Sequence, residues 1–255
     1  MGAEFRPGNT SPGADLLAFG RRCEAVLPAG GKVYFRSDSA AYQAAILNHY
    51  SQPGRSFSIA ADLDAAVKRE IQNLPETTWQ AYRTAEEVDT DRQITETVHT
   101  MNSTEQAFRL IVLRWANPQP SLFESSAYCY HAVSTNREGP ANEVIWKHNQ
   151  RGQCENWHQE LKLDLGMEQM PCGQLAANAL YFAIGVLAYN LAQVLKRQVL
   201  PESYRRMTVA TLRKVYRMAG KLVRHARAWV LQVKVGAEPW RLLESARHRC
   251  AALAT

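Results

Sequence analysis

The order of apolar runs and helical patterns in the first 75 residues constrains the fold most. Apolar residues recur at helical spacing over 14–27, 40–50 and 64–73, and short apolar runs at 33–35 and 57–60 separate these segments. A short apolar run between helices is typical of a buried strand with helices packed on its sheet. This β-α-β-α order predicts an α/β domain and places Asp38 just after the first strand.

The pattern changes at about residue 79. Threonines and the runs at 109–115 and 127–134, separated by an Asn-Pro-Gln-Pro loop, predict antiparallel strands. After Gly139-Pro140 the chain has helical periodicity at 141–165, 174–197, 208–234 and 239–253. We therefore expect four regions: an α/β core over 1–75, a β-rich insertion over 76–139, core helices over 140–200, and a basic helical region over 201–255.

Charge is unevenly distributed along the chain. The 255 residues have a formal net charge of +6, but residues 196–249 carry 14 Lys and Arg against 3 Asp and Glu, an excess of 11. Such a basic region predicts a polyanionic partner, with DNA or RNA favoured over a membrane surface. A soluble basic helical region without a partner stays open as the alternative. Five cysteines without a C-x-x-C pair argue against a disulfide framework or a zinc site and favour the cytoplasm.

One stretch, 175–195, is nearly long and apolar enough to span a bilayer. It contains Asn178, Asn190 and Gln193, which are costly in lipid, so we expect a buried core helix and no membrane. The first residues contain no apolar run of the kind found in signal peptides.

The segment 148–162 contains an unusual charge row. At about 100° per residue, Arg151, Glu155 and Lys162 lie in one quadrant of a helix together with two histidines, His148 and His158. A separate apolar side, predicted to pack on a core, consists of Cys154, Trp157, Leu161 and Leu165. A carboxylate between cations suits metal and phosphate chemistry, but an ordinary face of solvated salt bridges has the same spacing.

A second basic row is predicted in the 208–234 segment. If that segment is one helix, its apolar residues face the core and an outward ridge forms from Arg213, Arg217, Lys221 and Arg224. The ridge is a candidate DNA-contacting surface, and a merely solubilising face is the alternative.

The order Arg-x3-Glu-x6-Lys at 151, 155 and 162 resembles the Tyr-x2-Arg-x3-Glu-x6-Lys signature of bacterial insertion-sequence DDE transposases. Further segments are similar to that family, and with them the resemblance covers almost the whole chain. These segments are 5–12 (Phe-Arg-Pro-Gly-Asn-Thr-Ser-Pro), 35–39 (Phe-Arg-Ser-Asp-Ser), 131–138 (His-Ala-Val-Ser-Thr-Asn-Arg-Glu), 187–191 (Leu-Ala-Tyr-Asn-Leu) and 212–214 (Leu-Arg-Lys).

The resemblance implies a ribonuclease H-like catalytic core interrupted by a β-rich insertion, and metal-dependent cleavage and transfer of DNA strands in a bacterial cytoplasm, at the nucleoid. Asp38 and Glu155 correspond to the second and third catalytic carboxylates, which would bind Mg²⁺ or Mn²⁺. Arg151 and Lys162 would bind a phosphate of the DNA backbone. His148 stands where the signature has tyrosine and would donate to the same phosphate.

The sequence departs from the family at its start. The family's first catalytic aspartate precedes the loop that residues 5–12 resemble, and four residues precede that loop here. The resemblance therefore implies a C-terminal portion of a transposase that lacks the first core strands, which leaves its enzymatic activity open. An inactive remnant that binds DNA through its basic C-terminal helices is the alternative. An unpaired strand edge at 33–35 would favour self-association.

Overall fold

A computed structural model describes residues 2–86, 88–118, 127–217, 219–234 and 236–253, with the backbone alone for 213–216 and 237. The chain divides into two compact units. Residues 9–153 form one, called here the sheet unit, and residues 1–8 with 154–255 form the other, called the helical unit. The architecture is mixed α/β, as predicted.

The sheet unit is built on a six-stranded mixed sheet. Its strands are β1 (Val33–Ser37), β2 (Arg55–Ala60), β3 (Gln80–Arg83), β4 (Asp89–His99), β5 (Phe108–Ala116) and β6 (Tyr128–Thr135), in the spatial order β1-β2-β6-β5-β4-β3. β1 and β2 are parallel and the other described pairs are antiparallel. The predicted strands are confirmed. The β-rich residues extend the sheet of β1 and β2, and β1 is its edge strand.

Helices cover both faces of this sheet. One face packs against α1 (Leu16–Glu24), α2 (Ala44–Tyr50) and α3 (Ala65–Gln72), where Phe57, Leu110 and Val112 lie in the larger core cluster. The other face, called here the α4 face, packs against α4 (Ala141–Asn149). Because side chains alternate along a strand, Ile111 and Leu113 of the same β5 point to the α4 face.

In the part that the structure describes, the helical unit contains four α-helices and one hairpin. These elements are α5 (Gln153–Gln159), which begins at the boundary between the units, α6 (Leu175–Val194), α7 (Val209–Tyr216), β7 (Gly220–His225), β8 (Ala228–Val233) and α8 (Ala237–Leu253). A π-helical turn, Glu160–Asp164, follows α5, and another, Leu195–Val199, follows α6.

The predicted burial of the 175–195 helix is wrong. Asn178 is buried and its Nδ2 donates to the Cys172 carbonyl at 2.7 Å, but Leu180 and Leu191 are 65% and 62% exposed. The reason is that this side of α6 has no covering element among the described parts of its unit. By length and composition alone, Leu175–Val199 is long and apolar enough to cross a membrane.

The predicted helix over 208–234 is also wrong. α7 ends at Tyr216, and residues 220–233 form an antiparallel hairpin whose last pair joins His225 to Ala228. Ala226 and Arg227 have positive φ of 47° and 63°, which suits a two-residue turn that follows the twist of paired strands. β-branched and aromatic residues also favour strands over helix at this point.

The hairpin divides the predicted basic ridge. Arg213 lies in α7, Arg217 follows it, and Lys221 and Arg224 lie on β7. Because successive side chains on a strand alternate, Lys221 and Arg224 point to opposite faces of the hairpin. The four cations therefore do not form one helical face.

Candidate functional site

Asp38 lies at the carboxyl end of β1, directly after the strand. Its backbone is extended and leads into a short 3₁₀ turn, Ser39–Ala41, so its side chain leaves the sheet edge into solvent. The Ser37 hydroxyl donates to its Oδ1 at 3.3 Å. The carboxyl ends of parallel strands are a frequent place for functional groups in α/β sheets. Asp38 therefore presents an accessible carboxylate where the motif predicts one.

The charge row of Arg151, Glu155 and Lys162 lies on a helical run of changing pitch. Arg151 is half-buried in a 3₁₀ turn, Gln150–Gly152, whereas Glu155 is exposed on α5 and Lys162 is exposed in the following π turn. A 3₁₀ turn rotates by about 120° per residue, and a π turn rotates by a smaller angle per residue than an α-helix does. The placement of the three side chains in one quadrant, which assumed about 100° per residue throughout, therefore does not apply. Arg151 belongs to the sheet unit, and the other two belong to the helical unit.

Only part of the predicted apolar side is buried. Leu161 is fully buried in a cluster with Met167, Tyr189 and Val209. Trp157 is 40% exposed, and Cys154 is exposed as well. The packing of this segment within the helical unit therefore rests on its C-terminal turn.

His148 is buried and does not face solvent. Its exposed fraction is 2%, and its Nδ1 lies 3.1 Å from the Ser58 hydroxyl and 3.2 Å from the Ser58 carbonyl oxygen. A carbonyl oxygen can only accept, so the second contact is a hydrogen bond when Nδ1 carries the hydrogen. The Tyr34 hydroxyl contacts the same Ser58 hydroxyl at 2.7 Å, which extends the network to β1.

This environment keeps His148 neutral. Burial, with smaller contributions from the nearby His131, Arg151 and Arg36, lowers its pKa to about 4, although the hydrogen bond to the Ser58 carbonyl acts in the opposite direction. A neutral, buried imidazole cannot donate to a DNA phosphate at the surface. The predicted phosphate contact at His148 is therefore wrong, and this residue holds α4 against β2 instead.

Two cations that the motif did not indicate lie near His148 and its neighbour His131. Arg36, on β1, donates from Nη1 to the Lys147 carbonyl oxygen at 2.6 Å, in the last turn of α4. Arg92, on β4, lowers the pKa of His131 after the larger effect of burial. Arg36 follows Phe35 within the strand pattern and could have been assigned to the α4 face from period-two alternation. Nothing local in the sequence distinguishes Arg92.

A metal site is not assembled by the described residues alone. Among them, no group of three or more His, Cys, Asp or Glu side chains could hold a metal ion. Asp64, another carboxylate near the end of β2, accepts from the backbone N–H groups of Ala66 and Val67 at 2.9 and 2.8 Å as the N-cap of α3. Its role is therefore structural.

Comparison with known proteins places this arrangement in a family. A family model described as transposase DDE domain group 1 matches residues 1–254, and the mixed α/β sheet with its helices is consistent with such a domain. A search of curated proteins returned no significant match. Members of this family act on DNA and usually use a divalent metal. Because the match covers nearly every residue, the chain belongs to the DDE transposase domain family, group 1.

Proposed function

We propose that the chain serves in DNA transposition, as a ribonuclease H-like domain that cleaves and transfers DNA strands at the ends of an insertion sequence. The observation that carries the proposal is the family match over residues 1–254, within which Arg151, Glu155 and Lys162 have the signature spacing. The parallel β1–β2 pair, with Asp38 at its carboxyl end, supports the ribonuclease H-like assignment. The antiparallel strands between Asp38 and α5 correspond to the β-rich insertion.

We assign metal binding to the two exposed carboxylates, Asp38 and Glu155. Carboxylate oxygens are the donors that Mg²⁺ and Mn²⁺ prefer. When bound, such an ion supplies activation of the attacking water or 3′ hydroxyl and stabilisation of the leaving oxygen.

Arg151 and Lys162 are assigned to the DNA phosphate. A guanidinium can bind two phosphate oxygens at once, whereas an ammonium acts as a compact point charge. Lys162 is exposed and Arg151 is half-buried, so each has surface available for this contact. Both are cations of the signature row that also contains Glu155.

We also propose a second candidate function, DNA binding without cleavage. The excess of 11 positive charges over residues 196–249 supports such binding. Lys221 and Arg224 on the hairpin, together with Arg213 and Arg217, remain the proposed contacts, now as separate cations on α7 and β7 and not as one ridge.

Nicking of supercoiled plasmid in Mg²⁺ or Mn²⁺ tests the catalytic assignment. We expect Glu155→Gln and Asp38→Asn each to reduce nicking by about 100-fold or more, because each removes a metal ligand. Glu202→Gln, on a strongly exposed glutamate of the helical unit, and Asp89→Asn, on a strongly exposed aspartate of the sheet unit, are the matched controls.

The outcomes separate the two functions. Nicking that survives both ligand variants contradicts the site assignment. Retained DNA binding with no nicking in either metal supports the non-catalytic function. Loss of nicking in the ligand variants with full activity in both controls supports the catalytic one.

We also propose self-association and a cytoplasmic, nucleoid-bound location. β1 is the edge strand of the described sheet, and an unpaired edge offers backbone donors and acceptors to another chain. DNA binding places the protein at the nucleoid of a bacterial cell. The exposed side of α6 is a further apolar surface available for contact.

A further inference from the structure

The α4 face of the sheet unit carries a row of cationic and aromatic side chains, in which Arg36 and Arg92 have no role in the Arg-Glu-Lys signature. We call it the α4-face strip. It crosses the sheet from β1 to β4 and consists of Arg36 on β1, His131 on β6, Trp115 on β5 and Arg92 on β4; the buried His148 of α4 links Arg36 to His131 but is not itself a DNA contact.

One end of the strip is held by α4. The 2.6 Å hydrogen bond from Arg36 to the Lys147 carbonyl oxygen fixes the guanidinium beside the C-terminal turn of that helix. The next residue, His148, has its ring centroid 6.2 Å from that of His131. Arg36 is therefore connected to the middle of the sheet through direct neighbours.

The other end of the strip follows from strand register. His131 pairs with Leu113, and Trp115 lies two residues further along β5, on the same face. The Arg92 guanidinium lies over the Trp115 ring, 4.7 Å from its centroid. This stacking restricts the orientation of an exposed arginine, which reduces the entropy lost when it binds a ligand.

The strip is electropositive. Among the described residues, neither Arg36 nor Arg92 forms an ion pair with a carboxylate, whereas Arg83 and Arg109 of the same sheet do. Burial and the surrounding arginines lower the pKa of His131, so its ring stays neutral beside them. Positive charges gathered on one face without carboxylate partners favour a polyanion.

We propose that the α4-face strip is a binding surface for the sugar-phosphate backbone of DNA, in which Arg36 and Arg92 contact phosphates and Trp115 orients Arg92. This inference rests on the proposed function in DNA transposition and extends its contacts beyond Arg151 and Lys162. Four strand spacings, about 19 Å, separate β1 from β4, and the strand register offsets Arg36 from Arg92 by a further six residues along the strands, roughly 20 Å. The strip therefore runs diagonally over roughly 28 Å, which corresponds to about eight phosphates at about 3.4 Å per phosphate along one strand.

The salt dependence of DNA binding tests the proposal. Fluorescence anisotropy with a labelled 20-base-pair duplex of arbitrary sequence is measured between 50 and 200 mM KCl. A phosphate contact contributes about 0.9 to the slope of log K against log salt. We expect Arg92→Gln to reduce that slope by about 1 and to weaken binding at 100 mM salt by about five- to tenfold. Arg36→Gln is expected to act similarly.

Two further variants sharpen the test. Arg83→Gln is the matched control, because Arg83 is an exposed arginine of the neighbouring strand β3 that pairs with Asp89 at 2.8 Å. Its slope should equal that of the wild type. Trp115→Leu keeps every charge but removes the ring that restricts the Arg92 guanidinium. It should therefore weaken DNA binding a few-fold. Arg92 is exposed, so its variant reports on binding even if Arg36→Gln disturbs the fold.

The possible results are distinct. If wild type binds DNA and Arg92→Gln matches Arg83→Gln in affinity and slope, the strip is not a binding surface, while the proposed function stands. Equal losses in both variants indicate a general charge effect and also overturn the inference. If the wild type neither binds nor nicks DNA, the inference and the proposed function fail together.

Discussion

Acid should destabilise the sheet unit through one buried side chain, His148. In an unfolded chain its pKa is near 6.5, whereas burial lowers the pKa in the folded chain to about 4. Between those values the unfolded state binds more protons, so the free energy of unfolding rises with pH. The contribution of the neutral imidazole is complete above pH 6.5 and is lost as the pH falls towards 4.

The size of the effect follows from the shift. Each pKa unit corresponds to about 1.4 kcal/mol, which gives about 3 kcal/mol when the whole range is crossed. Between pH 7 and pH 5, the expected loss is about 2 kcal/mol. That is a large fraction of the stability of a typical domain.

Urea unfolding at pH 7 and pH 5, followed by tryptophan fluorescence, measures this loss. We compare wild type with His148→Asn, because the asparagine side chain can still reach the Ser58 hydroxyl but does not titrate. The difference in unfolding free energy between the two pH values should be smaller by about 2 kcal/mol in the variant. The control is His225→Asn, on an exposed strand of the helical unit. Identical pH dependence in wild type and His148→Asn would refute the reasoning.

Three other predictions concern stability and assembly. Gly20→Ala should lower the unfolding free energy by about 1–3 kcal/mol, because the added Cβ would lie 2.5 Å from the hydroxyl of the buried Tyr50. Gly152→Ala should be neutral or stabilising by up to about 1 kcal/mol, because no atom lies within 4 Å of the added Cβ. Thermal melts of both variants check this pair of expectations. Glu24→Gln should destabilise the protein by about 1–2 kcal/mol in urea titrations at pH 7, because the carboxylate accepts from Arg55 at 3.0 Å, and an unchanged midpoint would contradict this. The open β1 edge should produce concentration-dependent association in sedimentation equilibrium, and a monomer at every concentration would contradict it.

Local periodicity was sufficient for most of the sheet unit. The sequence predicts strands at 33–35 and 57–60 and antiparallel strands at 109–115 and 127–134. Short apolar runs between loops can form few structures other than strands. The carboxyl-end position of Asp38 followed from the same order. β3 and β4 were not assigned individually, because their polar, half-exposed sequences carry a weak alternation signal.

The errors share a physical cause. A helical projection of 208–234 places its apolar residues on one side of a helix. In the hairpin, many of the same residues instead form cross-strand pairs on either side of a two-residue turn. The apolar composition of α6 indicated burial, yet burial depends on whether another element covers that face. Neither competing arrangement can be evaluated from spacing within one segment.

Sequence alone determines which groups this protein can use: two carboxylates in separate segments, the Arg-Glu-Lys row, the basic C-terminal region and the resemblance that identifies its family. These are properties of residue type and short spacing. Tertiary structure decided that His148 is a buried, neutral positioning residue, through a contact with Ser58 that lies 90 positions away in the chain. It also brought Arg92 to the face of the sheet on which Arg36 lies. Burial and electrostatic environment depend on neighbours brought together by chain folding, so no local pattern could have specified them.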